Sequence, residues 1–143
     1  MALTDDVIRT FVADWYKELD VHAPMVHLLP MLADEELEMQ FPEATLKGHA
    51  GFEGWYQGVI RIFFDEVHKV KEVKIGRDDA GYQLVVVVEW QASVWTPPSA
   101  NSSRIALDAY QRWVVRESPE TGKPLIVTYI VDSLDYHEGS AKL

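Results

Sequence analysis

The sequence predicts an α+β protein in which helices lie on one side of a curved antiparallel sheet. Helical spacing of apolar residues is confined to the first half of the chain. Four long strand-like segments follow, joined by short polar turns, which is the pattern of an antiparallel meander. The chain has 143 residues, of which 48% are hydrophobic. That length and composition suit one domain, spanning 1–143, around one core.

The first predicted helix begins after Thr4, whose hydroxyl can accept a hydrogen bond from the free backbone N–H groups of the first turn. Asp5 and Asp6 are favourable there because the N-terminal end of a helix is partly positive. Pro24 disfavours helix in the preceding residue, so this helix should end within 21–23. Its apolar residues recur at helical spacing: Ile8, Phe11, Val12, Trp15 and Leu19.

A second short helix or helical turn is predicted over 24–32, interrupted at Pro30. Residues 37–41, LEMQF, alternate apolar and polar side chains and predict a strand, which Pro42 ends. A loop is expected before Gly48. The third helix is predicted within 48–70, where a wide apolar stripe repeats at helical spacing: Phe52, Trp55, Tyr56, Val59, Ile60 and Phe63.

The four strands of the meander are predicted over 69–75, 82–95, 104–117 and 125–136. In the second of them, one face carries only apolar residues, and we expect that face to contact the helices. These residues are Leu84, Val86, Val88, Trp90, Ala92 and Val94. The opposite face carries valines together with the polar residues Glu89, Gln91 and Ser93. A mixed face of this kind is better suited to a subunit interface than to contact with bulk solvent. In the next strand the drier face carries Ala109, Gln111, Trp113 and Val115.

Charge and composition exclude several classes of function. The chain has 13 basic and 23 acidic residues, a net charge of −10, which repels nucleic acid and anionic membranes. There is no cysteine, so disulfides, thiolate nucleophiles and cysteine metal sites are excluded. The N-terminal residues lack the pattern of a signal peptide, and no apolar run is long enough to span a membrane. We therefore expect a cytoplasmic protein.

Three segments carry a resemblance to a known superfamily: FVADWYKELD in the first helix, HLLPMLADEELEMQFPEATLKG through the first strand, and GFEGWYQGVI in the third helix. They resemble the nuclear-transport-factor-2-like superfamily, which includes SnoaL-like polyketide cyclases and ketosteroid isomerases. The resemblance implies a cone-shaped sheet with the three N-terminal helices packed on its concave face and a pocket between them. It also implies a homodimer formed through the convex face.

The catalytic residues of ketosteroid isomerases do not carry over to this chain. Their first-helix tyrosine aligns with Phe11, and Tyr16 lies nearby at the edge of the predicted buried face. Their general base before the first-strand proline aligns with Phe41. The acid of the strand before the last aligns with Gln111, or with Asp108 if the strand register slips by three. An amide can orient a substrate but cannot carry a proton.

Large aromatic residues from five elements are predicted to face inward, where they form either an ordinary core or a cage for an apolar or ring-shaped ligand. The candidate ligand-binding residues are Trp15, Phe41, Trp55, Tyr56, Trp90, Gln111, Trp113 and Tyr129. The leading hypothesis is a SnoaL-like protein that binds a small lipophilic or aromatic molecule. It would be a cofactor-independent isomerase, dehydratase or cyclase if it is an enzyme. The alternatives are a non-catalytic ligand binder and an assembly subunit that acts through its convex face.

The five histidines, His22, His27, His49, His68 and His137, show no metal-ligand spacing. The two histidines that flank Pro24, and His49 at the start of the third helix, are better explained as surface or capping residues than as ligands or catalysts. Residues 135–138, DYHE, are expected to form a solvated tail cluster. We therefore predict no metal site and no cofactor.

Overall fold

A computed structural model describes residues 3–143. Helix α1 spans Asp5–Asp20, and Thr4 caps it by accepting a hydrogen bond from the backbone N–H of Val7 at 3.2 Å. Helix α2 is a single turn, Met25–Leu28, followed by a 3₁₀ turn over Leu29–Met31. Helix α3 spans Gly48–Ile62. No helix within residues 3–143 combines the length and apolar character needed to cross a bilayer.

Six strands form one sheet, in the order β2-β1-β6-β5-β4-β3. Strands β1 and β2 are short, Glu38–Gln40 and Thr45–Lys47. The other four strands are long: β3 (Phe63–Asp78), β4 (Gly81–Val94), β5 (Ser103–Glu117) and β6 (Pro124–Tyr136). These four pair antiparallel in chain order, which confirms the predicted meander.

Two local predictions were wrong, and one strand pairing was not predicted. Residues 45–47 form strand β2 instead of loop, because they pair with β1 in a small antiparallel hairpin. Strand β1 pairs parallel with β6, so the sheet is mixed at this end. Helix α3 ends at Ile62, and β3 begins directly at Phe63, six residues before the predicted start. The apolar run there fitted helical spacing, whereas pairing with β4 fixes it as strand.

The predicted inward faces are confirmed by burial. Leu84, Val86, Val88 and Ala92 of β4 are buried, as are Ala109, Gln111, Trp113 and Val115 of β5. Helix α1 packs against this face: Tyr16 contacts the rings of Trp113 and His68, and Trp15 contacts Tyr129. The helices and the inward face of the sheet therefore share one core.

Strand β3 departs from regular pairing at two bulges, and the first lies between Phe64 and Val67. Asp65 has a φ of 51° there, in the left-handed region that is uncommon for a residue other than glycine. The extra residue changes the alternation. Phe64 is exposed on the outside, while Glu66 and His68 face inward.

Candidate functional site

A cavity of about 130 Å³ lies between helices α1 and α3 and the inward face of the sheet. Most of its wall is apolar. The apolar lining residues include Leu19, Phe41, Trp55, Val59, Phe63, Val88, Trp90, Leu107, Ala109, Val131, Leu134 and Leu143. The polar lining residues are Tyr16, Glu43, Tyr56, Glu66, His68, Gln111 and Tyr129.

Tyr16, Gln111 and Tyr129 form a buried hydrogen-bond network at one side of the cavity. The Tyr16 hydroxyl donates to Oε1 of Gln111 at 3.0 Å and lies 3.0 Å from the Tyr129 hydroxyl. Because Tyr16 has already given its only proton to the amide, Tyr129 is the donor in the second bond. Trp113 Nε1 also donates to Gln111 Oε1, at 3.0 Å, which fixes the orientation of the amide.

Burial keeps both tyrosines of this network protonated. It raises the pKa of Tyr16 well above its usual value, and the neighbouring Tyr129 adds to the shift. Burial likewise raises the pKa of Tyr129 to about 12. Neither phenol is therefore ionised near neutral pH, so neither can act as a base there. The network holds α1 on the sheet and offers polar atoms, but it does not supply a base.

A histidine–carboxylate pair lies beside this network. The Nδ1 atom of His68 is 2.6 Å from Asp20 Oδ1, and the backbone N–H of His68 donates to Asp20 Oδ2 at 3.1 Å. The imidazole stacks on Tyr16, with ring centres 4.8 Å apart, and on Trp90, at 6.3 Å. Among residues 3–143, His68 Nε2 has no hydrogen-bond partner. Its second nitrogen is therefore available at the cavity that His68 lines.

A second pair of the same kind involves Glu66. Its Oε1 accepts a hydrogen bond from Trp90 Nε1 at 3.0 Å, and its Oε2 contacts Nε2 of His22. The Glu66 side chain is only 4% exposed, whereas that of His22 is 27% exposed. The charge of Glu66 also acts on Tyr56. Burial first, and then the charges of Glu66 and Glu18, raise the pKa of Tyr56 to about 12.

Local structure explains how these groups meet. Tyr16 and Asp20 are four residues apart in α1, so they lie on the same side of the helix. Glu66 and His68 are two residues apart in β3 and share one face of the sheet. His68 pairs directly across the strands with Trp90. The chain reverses after α1 at His22, whose φ is 51°, and this turn brings its ring to Glu66.

The structure brings together most of the residues predicted to bind a ligand. Phe41, Trp55, Tyr56, Trp90, Gln111 and Tyr129 all line the cavity. Phe41 and Trp55 stack with ring centres 4.2 Å apart and form one wall. Trp15 and Trp113 are 1% exposed and lie in the core next to the cavity instead of in its lining. Whether any of these residues binds a ligand stays a prediction.

The positions aligned with ketosteroid isomerase residues fall in different places. Phe11 is a core residue, whereas Tyr16 is fully buried and reaches the cavity, so the expectation that it lies at the edge was wrong. Gln111 faces the cavity, and β5 shows no slip that would bring Asp108 inward. Asp108 lies on the opposite face, bound to Lys71 Nζ at 2.9 Å and to His137 Nε2 at 2.9 Å.

Sequence reasoning missed the His68–Asp20 and His22–Glu66 pairs. His68 was placed at the end of a helix, and only the pairing of β3 with β4 turns it towards the cavity. The two histidines around Pro24 do not meet each other: His27 contacts Glu18 at 3.2 Å on the exposed side of α1. His49 contacts the backbone carbonyl of Leu32 at 3.1 Å, outside the cavity lining.

Asp108, Glu89 and His137 offer ligand atoms within 4.8 Å of one another, on the outward face of the sheet. His137 belongs to the tail cluster that was expected to be solvated, but the structure binds it to Asp108. The ammonium of Lys71 already pairs with Asp108. Burial by itself would raise the pKa of Asp108, but Lys71 and His137 together hold it below its usual value. A divalent cation would have to displace that lysine, so the arrangement is explained as an internal ion pair.

No protein-family profile matches this sequence, and no curated protein matches it either. Solved structures do match. A provisionally named aromatic ring hydroxylase from Novosphingobium aromaticivorans superposes with a TM-score of 0.76 at 12% identity, over 92% of this chain and 91% of the other. A provisionally named scytalone dehydratase from the same species superposes with a TM-score of 0.66 at 15% identity, over 96% of this chain and 90% of the other.

Nuclear transport factor 2 from Cryptosporidium parvum also superposes, with a TM-score of 0.66 at 11% identity, over 93% of this chain and 94% of the other. These matches cover nearly the whole chain. The chain therefore has the nuclear-transport-factor-2-like, cystatin-like α+β cone fold. At such low identity the matches define the fold alone, and function has to be argued from the site.

The buried tyrosines predict a loss of stability at alkaline pH. Above about pH 10 a tyrosine in the unfolded chain ionises, whereas Tyr129 keeps its proton until about pH 12. The folded state then binds more protons than the unfolded state, so the free energy of unfolding falls as pH rises. In Tyr129→Phe, the decrease of the unfolding free energy with pH should be less steep by up to about 1.4 kcal/mol per pH unit. Urea denaturation between pH 9 and 11 measures this slope.

Trp113→Phe is the matched control, because it removes a hydrogen bond to the same Gln111 oxygen without removing an ionisable group. It should lower stability equally at every pH. An unchanged alkaline slope in Tyr129→Phe would contradict the account of the network.

Proposed function

We propose that this protein is a cofactor-independent enzyme that removes a proton from carbon in a small, neutral, largely apolar molecule. His68 would be the general base. The observation that carries the proposal is the His68–Asp20 pair in the wall of a mostly apolar cavity. The cavity, the ring walls and the polar network would bind and orient the molecule.

The geometry of the pair suits a base. When Nδ1–H donates to the Asp20 carboxylate, Nε2 carries the free lone pair and faces no competing donor among residues 3–143. The two bonds from His68 to Asp20 fix the ring, and the carboxylate stabilises the imidazolium that forms on proton transfer. The buried tyrosines cannot compete for this role because burial holds their pKa values high.

The cavity favours a neutral compound with one ring. Its volume of about 130 Å³ is close to that of cavities, about 150 Å³, known to take up benzene. Within residues 3–143, its lining contains Glu43 and Glu66 but no lysine or arginine. A phosphate or carboxylate on the ligand would find no cationic partner there, so acidic substrates are disfavoured.

Two reactions share proton removal from carbon: elimination, in which a neighbouring group leaves, and isomerisation, in which the proton returns elsewhere. Elimination is favoured by the structural likeness to a protein named as a scytalone dehydratase. In an elimination the C–H electron pair becomes the new C=C bond. The leaving group departs with its own bonding pair, and the proton ends on His68 Nε2.

Ligand binding is the first test. Single-ring neutral ketones such as acetophenone should raise the thermal midpoint in a dose-dependent manner, since a ligand of the folded state stabilises it by RT ln(1 + [L]/Kd). Ala109→Leu fills the cavity from its floor and should abolish the shift. Val26→Leu, at an exposed site on α2, is the control that should keep it. A shift that survives Ala109→Leu would place the ligand elsewhere.

Base catalysis is tested with 4-(4-nitrophenoxy)butan-2-one, which releases coloured nitrophenolate when a base removes the proton beside its carbonyl. We expect release above the buffer rate, and a drop in kcat/KM of about 10²- to 10⁴-fold in His68→Gln. Asp20→Asn should also lower the rate, since it favours the wrong imidazole tautomer. His27→Gln alters an exposed histidine–carboxylate pair of the same type and should leave the rate unchanged.

Release that does not depend on His68 would reject the proposal. Ligand binding at the cavity without any turnover of the probe would favour a non-catalytic ligand binder.

The proposal includes a homodimer formed through the outward face of the sheet. Val85 and Tyr110 lie on that face of neighbouring strands and are 43% and 41% exposed, and Val87 pairs directly with Tyr110. We expect a dimer in sedimentation velocity, and Tyr110→Glu should shift it towards monomer because it places a charge in the apolar patch. Val26→Glu, which places the same charge on an exposed residue of α2, is the control and should leave the dimer intact. A monomeric parent protein would exclude this dimer.

A further inference from the structure

Glu66 lies in the wall between the cavity and a second, open groove. The groove has a volume of about 500 Å³ and is lined by Asp20, Val21, His22, Phe64, Asp65, Val67 and Arg104 as well as Glu66. Glu66 is therefore shared by the buried cavity on one side and the groove on the other. His22 lines the groove only and is partly exposed, so it connects Glu66 with solvent.

The carboxylate of Glu66 is bound by an indole and an imidazole. Within residues 3–143 no lysine or arginine contacts it. Arg104 lines the same groove, but its guanidinium bonds to the Asp65 carbonyl at 2.7 Å and to Ser93 Oγ at 3.0 Å. The partner of Glu66 is instead an imidazole, which can give a proton and take it back.

Glu66 and His68 face the same cavity from one strand. They are two residues apart on the same face of β3, so their Cα atoms are separated by about 7 Å. This separation leaves room between the two side chains for a hydrogen, two carbons and a leaving group. His68 has an open lone pair and suits the hydrogen, and Glu66 with its imidazole partner suits the leaving group.

We infer that Glu66 is a second proton-transfer residue of the cavity, that His22 returns protons to it from the groove, and that the leaving group is an oxygen. The inference rests on the proposed role of His68. A halide leaves as an anion and needs no proton, whereas a hydroxyl or alkoxyl group on saturated carbon leaves readily only when it is protonated. The implied substrate is a β-hydroxy or β-alkoxy carbonyl compound that loses water or an alcohol.

His68 Nε2 takes the proton next to the carbonyl, the C–H pair becomes the C=C bond, and the C–O bond breaks towards oxygen. That oxygen takes the proton of the Glu66 carboxyl group and leaves as water or alcohol. His22 then passes a proton from solvent to Glu66, and His68 releases its proton to solvent. The reaction needs no oxidant and no cofactor.

A series of 4-aryloxybutan-2-ones tests the inference, because the leaving phenol can be varied while the proton taken by His68 stays the same. The series runs from 4-nitrophenoxy, which leaves easily, to phenoxy and 4-methoxyphenoxy, which leave poorly. In the parent protein, kcat/KM should change little along the series. In Glu66→Gln, the ratio of the nitrophenoxy to the phenoxy rate should rise by about 10²-fold.

The nitrophenoxy rate of each variant is an internal check that it is folded and that His68 works. His22→Gln changes a partly exposed side chain, which limits the risk to folding, and it should raise the same ratio by a smaller factor. Glu18→Gln and His27→Gln remove the exposed pair between α1 and α2 and should leave the ratio unchanged. An unchanged ratio in both Glu66→Gln and His22→Gln, with His68-dependent release intact, would overturn the inference. Loss of His68 dependence would instead overturn the proposed function beneath it.

Discussion

Two polar contacts on one side of helix α1 hold the site together. The Tyr16 hydroxyl reaches Gln111 on β5, and one helical turn later the Asp20 carboxylate reaches His68 on β3. Both contacts are largely shielded from water, where an unpaired polar group costs about 1–3 kcal/mol, so the register of helix on sheet that forms both contacts is favoured over others. The cavity exists because α1 is held in that register while α3 closes the other side.

The same contacts divide the chemistry of the cavity. Burial makes Tyr16 and Tyr129 poor acids, and their protons are committed to each other and to Gln111. Two imidazole–carboxylate pairs lie beside this network, one formed by His68 with Asp20 and one by His22 with Glu66. The first has an open nitrogen at the cavity, and the second reaches solvent through His22. The proposed function assigns the orientation of a molecule to the tyrosine–glutamine network and proton transfer to the two imidazole–carboxylate pairs.

Much of the fold follows from local patterns. Thr4 and Pro24 bracket α1, and alternation assigns the inward faces of β4 and β5, including Gln111 and Trp90. These features depend on residues that are close in sequence. The spacing of apolar residues and the helix caps therefore predict them. The same patterns identified most of the aromatic wall, since large inward aromatics from different elements meet wherever those elements pack. Trp15 and Trp113 were assigned inward for the same reason, but an inward position does not distinguish core from cavity lining.

The sequence by itself determined the helices, the meander and the apolar character of the interior. The tertiary structure decided which polar groups enter that interior. His68 and Asp20 are 48 residues apart, and Glu66 and His22 are 44 apart, so neither pair leaves a local signal. The bulge at Asp65 shifts the alternation of β3, and it turns Glu66 and His68 inward while Phe64 points out. Pairing with β4 fixes that bulge, because hydrogen bonds between strands override the helical spacing of the apolar residues around Phe63.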